Sequence, residues 1–177
     1  MKYNNFSRQD FLRLMGLGTL VATAPIASSA SVYSAQRTNK PLTLGLASYT
    51  LRELSLPDAL AVAKRLKLNH IALKSMHLPL DSSPEEIKRV AQQVKDAGVN
   101  LYGAGVVYMK SPEEVDNAFA YAKMAGMSVI IGVPNPELLP RVEEKVKDTN
   151  IKLAIHNHGP GDKEYPSPDS IYEHIKD

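Results

Sequence analysis

From residue 41 onward, short apolar runs alternate with longer stretches whose apolar residues recur every three or four positions. The runs at 42–47, 70–73, 100–106, 128–133 and 151–156 read as strands. They recur at intervals of roughly 25 to 30 residues, the length of a strand plus a helix that crosses back to a parallel neighbour. Each intervening stretch carries its own helix signals. Leu56, Ala59, Leu60, Ala63 and Leu66 mark one face of a first helix. Ser83-Pro84-Glu85-Glu86 opens a second, with a hydroxyl to cap an orphan amide, proline in the first turn and glutamate placed for a capping box. Gly98 closes it as a left-handed stop. Ser111-Pro112-Glu113-Glu114 and Gly126 repeat the device around Val115, Ala118, Phe119 and Ala122, Asn135-Pro136 opens a fourth helix and Ser167-Pro168-Asp169 a fifth.

Strands that are apolar along their whole length suit a sheet covered on both faces, so the pattern predicts an α/β fold. An open doubly wound sheet is the competitor. After the first strand, however, Leu46-Ala47-Ser48-Tyr49-Thr50 offers no glycine-rich phosphate cradle. Five βα units predict a partial (β/α)8 TIM barrel, because a closed one needs about 250 residues. The expectation is therefore an N-terminal portion of such a barrel over residues 41–177, truncated in its fifth helix.

Residues 1–35 read differently. Lys2, Arg8 and Arg13 precede an uncharged run over 14–33, rich in small residues, which is the layout of a signal peptide. Ala30 and Ala35 each precede a possible cleavage point, and Ser7 to Leu12 resembles a twin-arginine signal with Gln9 in place of the second arginine. The expected destination is the periplasm. Gly16, Gly18 and Pro25 weaken the alternative of a membrane anchor, and no other segment is long and apolar enough to span, so no stable membrane association is expected once the leader is gone.

Charge changes the picture only by exclusion. The net charge of +2 belongs to the leader, and the remainder balances 18 basic against 18 acidic residues. A nucleic-acid binder would carry a basic face, so none is expected as partner. With no cysteine, thiolate metal sites and disulfides are excluded.

In a barrel the chemistry sits at the strand C-termini and in the loops that follow. His156 and His158 lie two apart on an extended segment, so both rings point to one side and can converge on a metal ion or a sugar hydroxyl. His77 shares a loop with Lys74 and Asp81, and Lys74 ends a strand as a substrate-orienting cation or a side chain reaching for water. Tyr102 and Tyr108 are candidates for a pocket wall, while His70 belongs to the opposite, structural end.

Taken together, Gly45 to Thr50, the loop 74–83, Tyr102 to Met109, and above all Leu153-Ala154-Ile155-His156-Asn157-His158-Gly159-Pro160 resemble the xylose isomerase-like sugar phosphate isomerase/epimerase family in its exported bacterial branch. The resemblance implies a divalent metal (manganese, magnesium, zinc or cobalt) held by two Glu, one Asp and one His. It also implies proton abstraction beside a carbonyl through an enediolate. His156 matches the position of the first metal-binding glutamate, which makes it the expected metal ligand, and the other ligands would follow Asp177. Lys74, His77, Tyr108 and His158 are then the expected substrate-binding residues. The implied function is a metal-dependent isomerase or epimerase acting on a small-molecule carbohydrate. A lyase or hydrolase on oxidised glycosides, and a non-catalytic sugar-binding barrel, stay open beside it. The 177-residue stretch by itself is not expected to turn over, and oligomerisation is left open.

Overall fold

The computed structural model describes residues 42–176. The expected leader therefore lies outside the described residues. Five strands, β1 (Leu46–Ala47), β2 (His70–Leu73), β3 (Asn100–Met109), β4 (Val129–Pro134) and β5 (Lys152–Ile155), form one sheet in chain order. Every neighbouring pair is parallel. Helices α1 (Leu56–Arg65), α2 (Pro84–Asp96), α3 (Pro112–Met124) and α4 (Leu139–Thr149) make the crossovers, and α5 (Pro168–Ile175) follows β5. Sequential parallel order with one helix per connection is the arrangement of a partial TIM barrel.

The serines do what their spacing predicts. Ser83, Ser111 and Ser167 accept from the amides of Glu86, Glu114 and Ser170 at 3.2, 3.3 and 3.1 Å. The reciprocal half of the capping box differs. Glu86 turns outward to Arg89, and Glu114 takes the Lys110 amide, one residue before the cap, at 2.6 Å. Among the described helices only α5 has the complete box, through Ser170. At the other ends Gly98 and Gly126 sit at φ 74° and 69°. There Val99 and Met127 donate back to Val94 and Ala122, satisfying carbonyls the helices leave over.

Strand limits shift with available partners. Only Leu46 and Ala47 of the expected first strand pair with β2, and Leu42 and Leu44 are exposed. β3 runs three residues further than its apolar run suggests, because β4 pairs with it as far as Met109 and Pro134. Asn135-Pro136 opens a short 3-10 turn, Pro136–Leu138, before α4 begins.

The core lies between the helices and the sheet, with Ile71, Leu73, Met109, Val115, Phe119 and Ile130 nearly or fully covered. Coverage falls at β5, where Leu153 and Ile155 are only half-buried. They line an apolar recess of about 630 Å³ shared with Leu139, Val142, Val146 and Ile171. The charge runs on α2 and α4 form exposed pairs, Glu86 with Arg89 and Glu143 with Lys147, as solvated outer faces should.

Candidate functional site

Parallel strands in chain order bring all five C-terminal ends to one rim, and the loops leaving that rim carry the polar residues. Lys74 is the first residue past β2. Its amide donates to Ser48 Oγ at 2.8 Å, and its ammonium reaches across to the carbonyl of Val106 in β3 at 3.0 Å. The His156 amide donates to the Gly132 carbonyl at 2.9 Å, so the β4–β5 ladder continues one residue past Ile155. That extended backbone places the rings of His156 and His158 4.6 Å apart, edge to face, as a two-residue spacing requires.

Electrostatics tie the group together. His156 is held neutral to lower pH than an ordinary histidine, chiefly by desolvation, then by His158 and Lys74, with Asp162 opposing. Asp162 anchors the loop. One oxygen accepts from the amides of Glu164 and Tyr165 at 2.8 and 2.9 Å, and the other faces His158 Nδ1 at 2.8 Å. Those backbone donors, before the interaction with His158, hold its carboxyl below the ordinary aspartate value of 3.8. A carboxyl whose folded pKa is lowered adds stability that is complete above its unfolded pKa. That stability is lost as pH falls through the folded value. Acid unfolding followed by circular dichroism should therefore begin at a lower pH in Asp162→Asn than in the wild type, relative to each protein's neutral-pH stability.

Tyr108 closes the cluster. Its hydroxyl lies 3.0 Å from His158 Nε2, and the two rings stand parallel, 5.9 Å between centroids. Beside Tyr108 the same rim opens into a recess of about 600 Å³ walled by Asp81, Lys110 and Asn117. Beneath the loop Tyr165 is fully buried and donates to the Pro134 carbonyl at 2.8 Å.

Four of the expected residues, Lys74, Tyr108, His156 and His158, thus share one end of the sheet. His77 does not join them with a free ring. It is buried, with Nδ1 3.0 Å from Ser48 Oγ and Nε2 3.0 Å from the Leu54 carbonyl, so both nitrogens serve the protein. Tyr102 lies at the opposite end, edge-on to His70, rather than in a pocket wall at the rim. Asp162 and Tyr165 carried no expectation. An acid four residues after His158, in a loop punctuated by Gly159, Pro160 and Gly161, was the signal for the first. Nothing in the local pattern distinguished the second.

The same geometry tests the fit of a divalent ion. Both nitrogens of His158 and both oxygens of Asp162 already have partners. His156 offers one imidazole, and no three His, Asp or Glu side chains among the described residues form a metal-binding group. One donor does not make the three or four protein ligands such an ion requires, so the described residues do not hold it by themselves.

No family model matches the sequence, and no curated protein does. Solved structures do. A crystal structure of an uncharacterized protein from Parabacteroides distasonis aligns at TM-score 0.64 and 22% identity, over 75% of this chain and 57% of that one. A xylose isomerase-like TIM barrel/4-hydroxyphenylpyruvate dioxygenase fusion protein aligns at TM-score 0.59 and 11% identity, over 76% and 25%. The chain thus spans just over half the length of the first and a quarter of the second. The class these define is an α/β chain of five parallel βα units, a partial TIM barrel. A xylose isomerase-like TIM barrel is among the structures that share its fold. None of its described helices is long and apolar enough to cross a membrane.

Proposed function

We propose that the rim formed by Lys74, Tyr108, His156 and His158 binds a small carbohydrate, and that the protein acts as an isomerase or epimerase on a sugar or sugar derivative. The observation that carries this is the convergence of an ammonium and two imidazoles at the C-terminal ends of β2 and β5, where barrels of this kind place their chemistry. Exchange of a hydrogen beside a carbonyl needs a base for the carbon-bound proton and a positive group near the oxygen that gathers charge. His156, kept neutral by its surroundings, is suited to accept a proton. Lys74, held over the strand ends, is suited to face the oxygen. The exposed Tyr108 oxygen, held in place by its hydrogen bond to His158, supplies an acceptor beside them. The two roles open to His156 exclude each other, since an imidazole that ligates a divalent ion has no lone pair left for a proton, and in this proposal it serves as the base. Export to the periplasm belongs to the same proposal, through the leader-like residues 1–35.

The test is a panel of aldoses, ketoses and sugar acids in D2O, with and without added manganese, magnesium, zinc or cobalt. NMR would follow both the sugar C–H signals and the ring signals of His156 and His158. One sugar should shift both rings and exchange its hydrogen beside the carbonyl. His156→Gln and Lys74→Met should lower that exchange by roughly tenfold or more. Ring shifts without exchange would favour the sugar-binding alternative, and release of a leaving group from an oxidised glycoside would favour the lyase or hydrolase. If no sugar moves either ring, the proposal falls.

A further inference from the structure

Asp162, His158 and Tyr108 form a continuous hydrogen-bonded line from a backbone-anchored carboxylate to a phenol 49% exposed at the rim. Its polarity follows from the partners. A carboxylate only accepts, so His158 Nδ1 carries the hydrogen it shares with Asp162. In the neutral ring Nε2 is then a bare acceptor, and the Tyr108 hydroxyl donates to it. The phenol therefore points its hydrogen inward while its oxygen lone pairs face the open rim. Nucleophile, base and orienting acid in that order are the arrangement that activates a hydroxyl. Here the hydroxyl belongs to a tyrosine, and the acid is held by the loop that Tyr165 pins to β4.

We propose that Tyr108 is an activated phenol, with His158 as the acceptor of its proton and Asp162 as the positioning residue. Under the carbohydrate assignment above, on which this role rests, Tyr108 meets a substrate hydroxyl and passes a proton between it and His158. The reactivity itself requires no substrate. A staple that merely closes the loop would use the same three side chains without making the phenol oxygen reactive, so reactivity separates the two.

The probe is an aryl sulfonyl fluoride. The Tyr108 oxygen attacks sulfur, the O–S bond forms as the S–F bond breaks, fluoride leaves, and the phenolic proton passes to His158 Nε2. Peptide mass spectrometry on the full chain compares Tyr108 with Tyr49 and Tyr172, which are 54% and 63% exposed. Tyr108 should be sulfonylated roughly tenfold or more faster than either, a modest share of what a positioned base supplies. His158→Gln and Asp162→Asn, checked for folding by circular dichroism, should bring it down to the rate of the other two. A wild-type rate no faster than theirs, or an unchanged rate in both folded variants, overturns the proposal. The measurement contains no sugar. Failure of the sugar panel therefore leaves the assignment of Tyr108 standing, and slow labelling removes it even if a sugar is turned over.

Discussion

Replacing Tyr165 with alanine should lower the unfolding free energy by about 3–5 kcal/mol, the range for deleting a buried aromatic ring. The side chain is fully covered, and burial pushes its phenol up to about 12, so the hydroxyl stays protonated as a donor to Pro134 across the physiological range. The loss comprises the ring's buried area, the cavity it leaves and an unpaired carbonyl at the end of β4. Against a typical total of about 5–15 kcal/mol it is a large fraction. The functional consequence comes with it. Tyr165 pins the loop whose backbone amides hold Asp162, so its removal should also broaden the NMR signals of the His158 ring. Tyr165→Phe isolates the hydrogen bond, and a cost of about 1–3 kcal/mol with the His158 signals intact is expected. Urea unfolding with the two variants side by side checks both numbers. A loss below about 1 kcal/mol for the alanine variant would mean that the loop packs on β4 by other contacts.

How much of this was legible beforehand depends on the range of the interaction that fixes each feature. Helix starts and stops are local. Ser83 and Gly98 announce the limits of α2 because a cap or a left-handed turn is decided within a few residues. Strand limits are less local, and β1 shrank to two residues because pairing depends on where β2 can meet it. Convergence of His156 and His158 followed from the two-residue period of extended chain, so their proximity was also readable. The relay from Asp162 to Tyr108 was not. Its Tyr108–His158 link joins residues 50 apart in sequence through a loop without periodicity, and only the pairing of β5 with β4, and of β4 with β3, makes them neighbours. Tyr102 and Tyr108 show the same limit. They lie on one strand, yet β3 is long enough to put one at each end of the sheet.

His77 is where local composition misleads most, and its alanine variant should lose about 2–4 kcal/mol while leaving sugar recognition in place. A polar loop after a strand in a barrel suggests a ligand-facing histidine, and Lys74, three residues before the ring, strengthens that impression. The hydrogen bonds say otherwise. Leu54 offers only a carbonyl, so Nε2 must carry the hydrogen and donate, which leaves Nδ1 to accept from the Ser48 hydroxyl. Ser48 in turn accepts from the Lys74 amide. The chain of donors is closed, with no nitrogen left for a substrate, and it ties the turn after β1 to the loop after β2. Removing the imidazole opens a cavity and leaves the Leu54 carbonyl unpaired. The expected outcome in urea unfolding is a clear drop in midpoint. In the folded variant, the sugar that shifts the rings of His156 and His158 in the wild type should still shift them. Loss of that response with stability unchanged would restore His77 to the substrate-binding set. A loss of both would show that the node sets the position of Lys74, whose amide it holds and whose ammonium must stay over Val106 for the rim to keep its charge.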